Sequence, residues 1–248
     1  MRLRLFLPLA FVGLVGCSGG SYLLSNIVEP PDSGVVDAGP VEAAAPVDAG
    51  LELYVPQGYE LVPYVTDTAT TRKFKAPDQV LDSTKSYVVV LDTDVGRIVW
   101  ELFTDDAPIA CNSFVFLTLH HYFDGIAFHR VIDQFFAQGG DPNTIKQPQS
   151  TWGLGGPGYT FDNENAHSDF DAGGLVAMAN TGQPNSNGSQ FFITFEAQSL
   201  VGGYTLFGNV TEGADILPKI VRGEAPDDVS NPGYPTRIVE AHIAAKAK

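Results

Sequence analysis

Residues 127 to 141 read AFHRVIDQFFAQGGD, a run of aromatic and aliphatic side chains interrupted by one permanent cation, Arg130. A guanidinium cannot shed its proton to escape an apolar site, so it needs either an acceptor there or a ligand that supplies one. Period-2 reading of 126 to 132 puts Phe128, Arg130 and Ile132 on one face and His129 and Val131 on the other, so Arg130 emerges at the edge of an apolar surface. The stretch SQFFITF (189 to 195) alternates in the same way, with Gln190, Phe192 and Thr194 facing one side and Phe191, Ile193 and Phe195 the other. One side is core; the other is a polar and aromatic platform.

Working outward, GRIVWELF (96 to 103) alternates as a half-buried strand should, with Ile98, Trp100 and Leu102 opposed to Val99, Glu101 and Phe103. A helix follows, capped by Asp105 or Asp106, with Pro108 in its first turn and an apolar face of Phe114, Leu117 and Val115 running to about Leu119. Further strands are expected at 126 to 132, 175 to 180, 189 to 195, 204 to 210 and 236 to 243, and a second short helix from Ala214 to Val221, shortened or bent by Pro218. Many strands and few helices indicate a mainly antiparallel sheet, and closing it into a barrel would remove its edges.

The formal net charge of the 248 residues is −15, which argues against a nucleic-acid partner. Between Lys85 and Lys219 the only cations are Arg97, Arg130 and Lys146, against fifteen Asp and Glu, so Arg130 does not belong to a basic patch. The bland competitor is a structural cation paired with Asp133 or Asp141.

Four longer motifs occur in order: FHRVIDQFFAQGGD (128 to 141), GLGGPGYTFDNE (153 to 164), MANTGQPNSNGSQFFITF (178 to 195) and YTLFG (204 to 208). Together they resemble the cyclophilin-type peptidyl-prolyl cis-trans isomerases over residues 87 to 245. The resemblance implies a closed eight-stranded antiparallel β-barrel capped by two helices, with a peptide groove on its outer surface. It implies isomerase activity on X-Pro bonds, with proline-containing peptides and unfolded proteins as partners, no cofactor, no metal and a monomeric chain. Arg130, Gln138 and Phe135 would then be catalytic, with Gln138 orienting Arg130 or binding the substrate carbonyl. Phe135, Phe136, Phe192 and Leu200 would line the proline pocket and Tyr204 would close its side. Asn180 and the backbone of Ala179 would pair with the substrate backbone, and Gln190 and Gly153 would border the groove. Phe136 stands where the family often has methionine, Ser199 where it often has tryptophan or histidine, and Val201 where aspartate is common; Gln183 is an insertion before Pro184. Ser199 favours the alternative of a non-catalytic proline-peptide-binding or scaffolding module.

The N-terminus, MRLRLFLPLAFVGLVGC, has two arginines, an apolar run too short to span a bilayer, and small residues before Cys17. It resembles a bacterial lipoprotein signal, with Leu14, Val15, Gly16 and Cys17 as lipobox. That implies removal of residues 1 to 16, acylation of Cys17 and a lipid-anchored protein of the cell envelope, facing the periplasm or the exterior. An ordinary secretory leader is the competing reading. Residues 17 to 50, rich in Gly, Pro, Ala and Asp, read as a disordered tether, and 51 to 86 as an irregular arm without an assigned role.

With Cys17 lipidated, Cys111 is left without a disulfide partner and reads as a packed helix residue. Gly153, Gly155 and Gly158 satisfy GxGxxG, but no strand precedes and no helix follows, so a dinucleotide site is not indicated. His120, His121, His129 and His167 lack metal-ligand spacing; His129 reads as a core histidine.

Overall fold

The run Tyr87-Val-Val-Val-Leu91 is apolar at every position, so a strand built from it needs cover on both faces. A computed structural model describing residues 53–164, 169–200 and 203–248 shows how that cover is supplied. Tyr87, Val89 and Leu91 point into the main core, while Val88 and Val90 join Val99 and Ala244 in a smaller cluster on the opposite face. Tyr54, Val55 and Tyr59 of the N-terminal arm pack over that second cluster. Fully burying one valine contributes roughly 1.5–3 kcal/mol, so the arm has a structural task in keeping this face dry. It is stitched down by β1 (Glu60–Leu61) and by hydrogen bonds from Tyr64 to Glu240 and from Arg72 to the Tyr122 and Asp124 carbonyls.

The remaining strands among the described residues are β2 (Lys85–Thr93), β3 (Gly96–Leu102), β4 (Arg130–Ile132), β5 (Phe136–Gly139), β6 (Leu175–Met178), β7 (Phe191–Thr194), β8 (Leu206–Glu212), β9 (Gly223–Glu224) and β10 (Ile238–Ala247). They form one antiparallel sheet in the order β1-β10-β2-β3-β8-β6-β7-β5-β4-β9. The expected closed eight-stranded barrel is therefore corrected to an open ten-stranded sheet, with β1 and β9 at its edges. The ladder fails to close because 125 to 129 is irregular: it meets the start of β10 through a single bridge, Ala127 to Arg237, and flanking backbone bonds from Phe128 to Thr236 and Ile238 to Ile126. The same irregularity corrects the face assignment of Phe128, which lies in the main core with Val131, whereas Ile132 packs in the outer cluster. The strand expected over 126 to 132 is ordered as a ladder only from Arg130.

One α-helix is present among the described residues, α1 (Pro108–Leu119), beginning at the expected proline. Its cap is neither Asp105 nor Asp106: Ala107 occupies the N-cap, and the Glu164 carboxylate accepts the Ile109 and Ala110 amides at 3.0 and 2.8 Å. Residues 110 to 119 are all buried, so beyond its exposed first residues, Pro108 and Ile109, the helix lies inside the protein. Cys111 sits within it, burial pushing its thiol pKa up, as an inert packed residue. The second expected helix is reduced to a 3-10 turn, Leu217–Lys219, around Pro218, which cannot donate the bond that a longer helix needs. The leader, Cys17, the tether, His167 and Val201 lie outside the described residues.

Candidate active site

Residues directly opposite one another in an antiparallel ladder share a face, and one such row crosses five strands. Its members are Glu224 (β9), Arg130 (β4), Gln138 (β5), Phe192 (β7) and Ala177 (β6). The neighbouring row runs through Ile132, Phe136 and Thr194. Alternation in FHRVI, FFAQ and QFFIT thus delivers a cation, an amide and aromatic rings to the same outer surface.

The apolar part is a cluster of Phe136, Phe170, Leu175, Ala177 and Phe192, flanked by Ile132, Phe135, Ala179, Leu200, Tyr204 and Leu206. Phe135 and Phe136 have ring centroids 4.4 Å apart, Phe136 lies 5.4 Å from Phe192, and Tyr204 meets Phe192 edge-on at 5.4 Å. Five of the sequence-predicted pocket residues, Phe135, Phe136, Phe192, Leu200 and Tyr204, are therefore brought together. Phe170 was not predicted. It stacks on Phe192 at 5.9 Å from a polar loop whose only signal was one aromatic residue among Asp, Ala and Gly. Ser199 is exposed.

Arg130 stands at the rim, its side chain 40% exposed and its Cζ 5.0 Å from the centre of the Phe136 ring. Its acid partner is neither Asp133 nor Asp141. Nε donates to Oε1 of Glu224 at 2.5 Å, and the two terminal nitrogens make no hydrogen bond to any described residue. Asp133 instead binds Arg222. Asp141 is fully buried and accepts the Asn143 and Gly153 amides. The cation is thus neutralised on one edge and free on the other.

Gln138, opposite Arg130 in the ladder, does not bond to it. Its Nε2 donates to Oε1 of Gln190 at 2.9 Å, and Gln190 passes its own amide hydrogens to the carbonyls of Gly153 and Gly155. Of the two roles open for Gln138, orientation of Arg130 is the one that the side-chain geometry does not support. Gly153 takes φ +86°, a left-handed conformation that suits glycine, and its amide is the one held by Asp141. Asn180 is also committed internally, donating to Asn163 and to the Gly203 carbonyl while accepting the Gly182 amide. Its side chain holds neighbouring loops in place, and the Ala179 amide beside it donates to the Gln190 carbonyl at 2.9 Å.

A cavity of about 460 Å³ adjoins this network, lined by Gln138, Gly153 to Thr160, Ala179, Asn180 and Gln190, with Lys73 of the arm on its wall. His129 is buried behind Gly153 of its wall, and burial lowers its pKa against the Asp141 charge and a backbone hydrogen bond at Ala127. The surface as a whole can hold a small apolar ring beside a charged donor and align an extended backbone along a polar trough.

Residues 88–243 match the family described as cyclophilin type peptidyl-prolyl cis-trans isomerase/CLD. The chain is 40% identical over 161 residues to peptidyl-prolyl cis-trans isomerase ppi1 of Schizosaccharomyces pombe, covering 62% of this chain and 96% of that protein. It is 46% identical over 135 residues to peptidyl-prolyl cis-trans isomerase 10 of Caenorhabditis elegans, covering 53% and 80% respectively. A crystal structure of a cyclophilin type peptidyl-prolyl cis-trans isomerase from Cryptosporidium parvum superposes with a TM-score of 0.53 at 32% identity, over 64% of this chain and 97% of that one. A second structure of that protein, determined in the presence of the dipeptide Ala-Pro, superposes equally well.

Proposed function

The chain belongs to the cyclophilin-type peptidyl-prolyl cis-trans isomerases, and from that premise we propose that Arg130 and the aromatic cluster beside it rotate X-Pro bonds in exported proteins. The observation that carries the reading is the cross-strand row that puts Arg130 on the same face as Phe192, with its Cζ 5.0 Å from the Phe136 ring of the neighbouring row. The presence of Ala-Pro in the related Cryptosporidium parvum structure supports a proline peptide as ligand.

Rotation about an X-Pro bond needs no covalent chemistry. Its barrier of ~18–20 kcal/mol comes from conjugation between the prolyl nitrogen and the carbonyl. As the bond twists, that nitrogen regains a lone pair, and a fixed donor aimed at it stabilises the twisted state more than the planar one. Arginine suits the position because it stays charged and does not surrender a proton.

One charged hydrogen bond is worth ~1.5–3 kcal/mol net. A ~10⁵-fold acceleration requires ~7 kcal/mol. The difference has to come from holding the proline ring in the apolar cluster while the groove fixes one side of the imide. Phe135, Phe136, Phe192, Leu200 and Tyr204 supply the grip, and the backbone at Ala179 and Asn180, with Gln190 and Gly153 at the border, supplies the clamp.

A second reading, a groove that binds proline peptides without turning them over, is favoured by the carboxylate already bound to Arg130. Two-dimensional exchange NMR on a short proline peptide separates the two. Catalysed exchange that is nearly abolished in Arg130→Ala, with an unchanged thermal melt, supports isomerisation. Binding without accelerated exchange in the wild type selects the second reading.

The cellular setting rests on sequence alone. The LVGC run and the Gly/Pro/Ala/Asp-rich segment after it support a lipid anchor at Cys17 on a bacterial envelope membrane, with a monomeric catalytic unit held away from the bilayer. Metabolic labelling with a fatty acid should follow the wild type and be lost in Cys17→Ser; a labelled mutant refutes the anchor.

A further inference from the structure

Resting on the assignment of Arg130 as the catalytic residue, we infer that Glu224 is a positioning residue for the isomerisation: its carboxylate fixes the Nε edge of the guanidinium so that the terminal nitrogens are presented to the bound proline. Glu224 lies directly across the β4–β9 ladder from Arg130, although 94 positions away in the chain. The backbone beneath it is itself held. Glu224 exchanges two 2.7 Å amide-to-carbonyl bonds with Asp228, and Ala225 N donates to the His129 carbonyl at 3.1 Å. The Tyr234 hydroxyl reaches the same His129 carbonyl at 2.7 Å.

The form of the contact argues for orientation rather than for stability. Both side chains are nearly half exposed, at 40% and 45%, and an ion pair in that setting adds little to folding. The contact goes to Nε alone, not to the two-nitrogen fork that binds a carboxylate most strongly, so it leaves both terminal nitrogens for a ligand. The Phe136 ring 5.0 Å from Cζ defines the plane on a second side. A long, flexible side chain is thereby located by strand register, by a ring and by one carboxylate. Asp133 and Asp141 cannot substitute, since Arg222 occupies the first and the Asn143 and Gly153 amides occupy the second. Water screens the negative charge at this exposure, so the guanidinium keeps enough field to act as donor.

Exchange NMR and a side-chain NMR probe together test the assignment. In Glu224→Ala, kcat should fall roughly ten-fold with KM nearly unchanged, less than the ~10²-fold that a full 1 Å misplacement can cost. Glu224→Gln, whose Oε1 still accepts from Nε, should recover most of that loss, and both variants should melt like the wild type. The Arg130 Nε–H resonance should be sharp and slow to exchange with water in the wild type and Glu224→Gln, and averaged in Glu224→Ala.

Wild-type or increased kcat in Glu224→Ala, or a loss confined to KM, overturns the assignment. If the wild type proved inactive, the isomerase reading would fail by itself. The Nε–H resonance would still report on the geometry, and an identical signal in wild type and Glu224→Ala would overturn the positioning role independently.

Discussion

Arg130 and Gln138 are direct partners across the β4–β5 ladder, yet the Gln138 amide turns away from the guanidinium to Gln190, 2.9 Å distant. Gln190 in turn holds the carbonyls of Gly153 and Gly155. Two side chains opposed in one row thus turn to different parts of the surface, one to Glu224 and the Phe136 ring and the other to the wall of the trough.

Gln138→Ala should therefore act on peptide binding before it acts on turnover. Losing one neutral hydrogen bond costs about 1 kcal/mol, felt first at the 153–155 loop. KM is expected to rise several-fold while kcat changes less, and amide hydrogen exchange should quicken at Gly153 and Leu154. A variant that loses kcat with KM unchanged would return Gln138 to the task of orienting Arg130.

Alternation made the site legible and did not make the fold fully so. The motif 189 to 195 carries its facing information locally, because each residue's neighbour on the same face is two positions away. Phe192 sits in the outer cluster and Phe191 and Ile193 in the core as the pattern requires. Phe128 broke the pattern because the chain at 125 to 129 is not a regular strand, and parity means nothing across an irregular turn. Glu224 and Phe170 were missed for another reason: the first reaches the site from a two-residue strand and the second from a loop, both distant in sequence, where no local period marks a residue as facing anything. β9 is two residues long, too short for a period to declare itself.

The start of α1 offers a test of stability apart from the site. Aspartates precede the helix, but its first amides are satisfied by Glu164, which accepts two of them and also donates its own amide to Thr205. A carboxylate at a helix N-terminus combines capping with a favourable charge on the helix dipole, together about 1–2 kcal/mol. Glu164→Ala should lower the unfolding free energy by about that amount in urea titration. The Glu164→Gln variant, which keeps an acceptor but not the charge, should fall between. A wild-type midpoint in Glu164→Ala would show that Asp105 or Asp106 can take over the cap.

His129 is expected to weaken the fold in acid. It is buried, and burial lowers its pKa against the opposing pull of the Asp141 charge and of a backbone hydrogen bond at Ala127. An unfolded histidine titrates near ~6.5, so as the pH falls the unfolded chain takes up the proton first. The stability that the neutral ring contributes is complete above ~6.5 and is lost as the pH drops from there through the lowered folded value. Thermal melts of the wild type should therefore decline more steeply between pH 7 and pH 5 than those of His129→Asn, which has nothing to titrate at that position. The ring-proton NMR titration should show a midpoint below that of a free histidine. Because His129 adjoins Arg130 and its carbonyl anchors both Ala225 and Tyr234, protonation should also disturb the β4–β9 contact that carries Glu224. Parallel melting slopes in the two proteins would show that other groups govern acid unfolding.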